Sequence, residues 1–134
     1  MVIHKEIAIT TTTRSHWVDI TSQIGKLVSD SGIANGVCTV FSVHTTAGIT
    51  INENADPDVG KDFFKKLNLL VPVEPFFQHS EGNSDSHIKA SLMGFSVQVP
   101  VRNNSLVLGT WQSVYFCEFD GPRSRRVFIT ITGE

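Results

Sequence analysis

Cysteine is scarce in this chain, with two in 134 residues, and both Cys38 and Cys117 sit in apolar, strand-like runs. They read as buried thiols rather than as a disulfide or a catalytic nucleophile. Excess basic charge is missing too. The formal net charge is -2, which argues against a nucleic-acid binder needing a basic stripe. No apolar run approaches the length that spans a bilayer, so no membrane partner is expected. The opening residues Met1-Val2-Ile3-His4-Lys5-Glu6 lack the basic-then-apolar plan of a signal peptide, and the cytoplasm is the expected compartment. Internal repeats and low-complexity tracts are also absent. What is present is 40% hydrophobic residues in a length that suits one domain over residues 1–134 with a single core.

Periodicity predicts a chain with strands at both ends. Ile3 to Thr13 alternate as a half-buried strand, and Trp17 to Ile20 continue it or pair with it. Ile20, Ile24, Leu27 and Val28 share a helical face, with Asp19 or Thr21 as cap and Gly32 as a left-handed stop. Gly36 to His44 reads as a buried strand, and Ile49-Thr50-Ile51 resumes after a break. Asp56 with Pro57 starts an amphipathic helix that carries Val59, Phe63, Phe64 and Leu67 inward, and Pro72 and Pro75 close it. Ser84 to Gly94 reads as a short helix. Phe95–Val101, Leu106–Leu108, Ser113–Phe119 and Arg126–Thr132 read as strands, with a turn at Arg102-Asn103-Asn104. The expected class is α+β: sandwich-like mixed or antiparallel sheets with two or three helices, with assembly as one way to cover the strand edges.

Three stretches carry chemistry that a core does not need. His79-Ser80-Glu81-Gly82-Asn83-Ser84-Asp85-Ser86-His87 packs two imidazoles, two carboxylates, an amide and a glycine into one segment. Imidazoles bind divalent metals and carboxylates orient them, but the spacing also suits a plain polar loop. His44-Thr45-Thr46-Ala47-Gly48 interrupts two apolar strands with an imidazole, two hydroxyls and accessible backbone N–H groups, a phosphate-binding chemistry or a bulge. Trp111 and Gln112 stand at a strand entrance, and Arg123, Arg125 and Arg126 follow a tight turn. Arginine forks suit phosphate or carboxylate oxygens, and a solvated basic hairpin is the plainer reading.

Taken together, His44 to Asp56, His79 to His87, Gly109 to Gln112 and Phe119 to Arg123 resemble the YjbQ-like family over essentially the whole chain. The resemblance implies a compact α+β fold, a homotrimer, and a weak thiamine-phosphate synthase activity. It does not assign catalytic residues. If His44, His79 and His87 converge, they form a three-imidazole set with an open metal position, for which zinc is the expected ion; magnesium is the alternative with a pyrophosphate substrate. Asp85, Glu81 and Glu53 are then the candidate bases or orienting carboxylates, Asp85 foremost. Thr45, Thr46, Asn83, Trp111, Gln112 and Arg123 are candidate contacts to a small anionic or phosphorylated ligand, with Arg102 or Arg125 as helpers and Trp111 stacking on a heteroaromatic ring. His4 and His16 are expected at the surface. A metal-dependent hydrolase of a phosphorylated small molecule and a non-catalytic trimeric binding module stand as alternatives.

Overall fold

Two antiparallel sheets face each other across a shared apolar core. In the computed structural model, which describes residues 1–134, the elements run β1 (Val2–Thr10), β2 (His16–Asp19), α1 (Thr21–Ser31), β3 (Gly36–Ser42), β4 (Ala47–Glu53), α2 (Pro57–Leu70), α3 (Ser84–Met93), β5 (Ser96–Arg102), β6 (Ser105–Leu106), β7 (Gln112–Glu118) and β8 (Ser124–Gly133). The larger sheet is ordered β1-β8-β3-β5-β6 and the smaller β2-β7-β4. All pairings are antiparallel, so the class is α+β with three helices and no parallel component.

Strand alternation sets the layers. Val40, Val99, Val127, Ile129 and Ile131 point inward from the larger sheet and meet Ile49, Val114 and Phe116 of the smaller one. Ile24 and Val28 of α1 join that same core, so α1 does not share a side with the other helices. The opposite face of the smaller sheet, with Tyr115, Cys117 and Phe119, packs against Ala90 of α3 and Phe64 and Leu67 of α2. Strand β7 is thus buried on both faces. The helix ends follow local chemistry: Asp56 accepts from the Asp58 N–H at 2.9 Å with Pro57 in the first turn, and Gly32 closes α1 at φ 75°.

Four expectations change. Residues 16–19 do not extend β1; they pair with β7 in the other sheet, Trp17 opposite Cys117. Strand β3 is not buried throughout, because an antiparallel sheet covers one face only: Cys38 and Val40 are inside while Val37, Phe41 and the following Val43 are exposed. The strand expected at Leu106–Leu108 shrinks to Ser105–Leu106, paired through Asn103 and Asn104, both at positive φ as a tight hairpin demands. The third helix begins after Asn83, one residue before the expected cap.

Candidate functional site

The cleft forms where the β3–β4 loop, the segment before α3 and the start of β8 meet. Strand β7 ends at Glu118, whose parity in the strand points it inward with Val114 and Phe116. Arg125 extends the inward parity of Val127, Ile129 and Ile131 on β8, so the two charges meet between the sheets. Arg125 Nε donates to Glu118 Oε1 at 2.8 Å, and its Nη2 donates both to Glu118 Oε2 and to Thr46 Oγ1, the latter at 2.8 Å. Thr11 Oγ1 adds a bond to Glu118 at 2.7 Å. Burial alone pushes the Glu118 carboxyl up, but the bonds from Arg125 and Thr11 outweigh it and hold the group below its ordinary range. Gly121 permits the tight connection from β7 to β8 in the other sheet: a Cβ there would collide with the Thr13 carbonyl and stand 2.9 Å from Glu118 Cγ.

A second charged cluster docks α3. Asp85 is 1% exposed and receives both Arg14 Nη1 and Nη2, at 3.2 and 3.1 Å, together with Lys89 Nζ at 3.1 Å. Lys89, 2% exposed, also donates to Asn68 of α2 at 2.8 Å. Here too burial raises the Asp85 carboxyl and the Arg14 and Lys89 bonds reverse it, leaving it lowered. Asp85 is therefore committed to these cations and does not line the cleft.

The cleft has a volume of about 400 Å³ and is lined by Val43, His44, Thr45, Thr46, His79, Glu81, Asn83, His87, Arg123 and Arg125. Eight of the twelve candidate residues thus meet. Glu53, Trp111 and Gln112 lie elsewhere: Glu53 ends β4 beside Trp17 and Tyr115, while Trp111 is exposed and Gln112 caps its own turn by accepting from the Gly109 N–H. His4 is at the surface as expected. His16 is half-buried and accepts from the Thr12 N–H at 3.2 Å.

The imidazoles share a cleft without forming a ligand set. His79 and His87 face each other edge to face with centroids 5.4 Å apart. His44 Nε2 accepts from the Arg126 N–H at 3.0 Å, which takes an unprotonated nitrogen, so the ring is neutral and its one lone pair is engaged; burial, aided by Arg125, lowers its pKa. No three His, Cys, Asp or Glu side chains are placed to hold a metal ion, and the arrangement as it stands does not fit a three-imidazole site. Donors for an anion are nevertheless at hand. The backbone N–H groups of Thr45 and Thr46 make no hydrogen bond, and Arg123 and Arg125 each keep Nη1 free of any protein partner. Glu118, Asp120, Arg14 and Lys89, which hold the site together, were not among the sequence candidates; the signal for Glu118 was a carboxylate at an inward parity of an apolar strand.

The fold and cleft define a class: a small α+β domain of two facing sheets, with a polar pocket at one end. Residues 5–134 match the family described as UPF0047 protein YjbQ-like, and the chain belongs to that family. It is 47% identical over 130 residues to the UPF0047 protein YugU of Bacillus subtilis, covering 96% of this chain and 98% of that one. A crystal structure from Clostridium acetobutylicum, an uncharacterised protein of the same family, superposes with a TM-score of 0.93 at 51% identity, over 96% and 99% of the two chains. A protein of unknown function from Sulfolobus solfataricus superposes with a TM-score of 0.96 at 34% identity, over 100% and 99%.

Proposed function

We propose that the cleft binds a small phosphorylated molecule and catalyses transfer at it. The observation that carries this reading is the meeting, in one open pocket, of unpaired backbone N–H groups at Thr45 and Thr46 with the Arg125 fork and the His79 and His87 rings. Anionic oxygens are best held by donors fixed beforehand, and Arg125 is fixed by Glu118 on its other edge. In the synthase reading, a thiazole nitrogen forms a bond to the pyrimidinylmethyl carbon as the bond to pyrophosphate breaks. Arg123, Arg125 and the Thr45 and Thr46 amides then stabilise the departing anion.

The hydrolase alternative has its own support in Glu81, an exposed carboxylate that lines the cleft and makes no hydrogen bond, as a base toward water requires. A divalent ion, zinc by imidazole chemistry or magnesium on a pyrophosphate, is a separate arm of the proposal. His79 and His87 are its candidate ligands, and His44 joins only by releasing the Arg126 amide. Homotrimer assembly is a further arm, supported by the exposed apolar residues Val37, Phe41 and Val43; Val43 also lines the cleft.

Pyrophosphate release from a pyrimidinylmethyl pyrophosphate with thiazole phosphate, and calorimetric titration of inorganic pyrophosphate, test the reading. His87→Gln is expected to weaken both at least tenfold. Binding without turnover on any phosphorylated compound favours the non-catalytic module. Binding untouched by His87→Gln and Arg123→Gln together refutes the cleft as the site. Metal analysis and light scattering read the two further arms.

A further inference from the structure

Asn83 is 6% exposed, lines the cleft, and carries the protein's one buried side-chain polar atom without a hydrogen-bond partner, its Oδ1. The orientation of the amide is fixed by its other end. Nδ2 donates to Asp120 Oδ2 at 2.7 Å, and a flipped amide would set an oxygen against that carboxylate. Asp120 is itself held by Arg123, whose Nη2 reaches Oδ2 at 2.8 Å and whose Nε reaches the Asp120 carbonyl at 2.8 Å. The chain Arg123–Asp120–Asn83 therefore leaves a bare, covered acceptor on a residue that lines the cleft, whose other groups are largely donors. A buried acceptor left without a donor is destabilising, and such atoms are rare in folded proteins.

From this geometry we infer that Asn83 is a specificity contact, and that the ligand carries an O–H or N–H donor alongside its phosphate. An acceptor repels phosphate oxygens, so Asn83 serves the other part of the molecule. Since Oδ1 has almost no surface open to water, an occupant must displace a wall side chain to reach it. His79 and Glu81 are exposed, their side chains make no hydrogen bond, and they are free to yield. The inference rests on the phosphate reading of the cleft and adds what kind of phosphate compound enters.

The test is a matched pair, 2-hydroxyethyl phosphate and ethyl phosphate, titrated calorimetrically into the intact protein. The hydroxyl compound is expected to bind about tenfold more tightly, the ratio one good hydrogen bond supplies. In Asn83→Ala and Asn83→Leu that ratio should fall to about one, whatever the two separate affinities become. Equal binding of the two compounds to the wild-type protein overturns the inference and leaves the cleft reading intact; this arm needs no variant to fold. A preference that survives both substitutions also overturns it, because another acceptor such as Glu81 is then the reader. If neither compound binds, the phosphate reading falls and this inference with it.

Discussion

On one side of the cleft Arg125 and Thr46 are buried and bonded to Glu118 or to each other; on the other, His79 and Glu81 are exposed and their side chains bond to nothing. The first wall is borne by strands of both sheets and the second by the loop leading into α3. The difference separates two jobs. A wall that supplies anion donors gains from being rigid, since no reorganisation is left for the moment of binding. A wall that admits and releases the ligand gains from side chains that move without breaking anything.

The comparison breaks most severely at Glu118. Glu118→Gln leaves a buried guanidinium unmatched and is expected to cost about 3–5 kcal/mol in urea unfolding. Asp85→Asn follows with about 2–3 kcal/mol, less because Arg14 is half-exposed and water screens its share. That variant should also loosen the His79–His87 segment, which hydrogen exchange would register there rather than in the sheets.

Acid probes both carboxylates together. Their folded pKa values lie below the ordinary 3.8 and 4.5, so their stabilisation is complete above those values and is lost as pH falls through the lower folded ones. Thermal melts below about pH 4 should therefore drop steeply in the wild type and less steeply in Glu118→Gln. The loop wall should answer oppositely: His79→Ala and Glu81→Ala are expected to change stability by less than about 0.5 kcal/mol while altering ligand binding. Smallest of all is the effect of thiol reagents. Burial pushes the Cys38 thiol up to about 11 and Cys117 higher still, so neither should react until the protein unfolds, as a mass-spectrometric labelling series would record.

The loop wall was the legible half. His79, Glu81, Asn83 and His87 stand out because such polar mixtures interrupt an apolar chain, as do His44, Thr45 and Thr46 between β3 and β4, and the cleft gathers all of them. The strand wall was hidden, since parity with apolar neighbours is the only mark that Glu118 and Arg125 carry of being buried. Arg125 sat among three arginines as a helper, although of the two that fall within β8 only it shares parity with Val127, Ile129 and Ile131. Asp85 drew attention for its nearness to His87, yet one helical turn faces it toward Lys89, four residues on. Among the elements, α1 and α3 begin after Ile20 and Asn83 rather than at the expected caps, whereas helix faces and the Asp56 cap of α2 were readable from local chemistry. The placing of residues 16–19 in the second sheet was not, because partner choice between strands is decided by the whole core.

The alternation on β8 constrains how the protein can vary in length. A single residue inserted within β8, between Arg125 and Val127, would break that alternation: with Val127 and the residues after it held in register by β1 and β3, Arg125 would turn to the opposite face. Residues added before Ser124 leave that register untouched, because they only lengthen the connection from β7 in one sheet to β8 in the other. Odd-length insertions inside the strand are incompatible with both the core and the pocket, whereas the connection before it can vary.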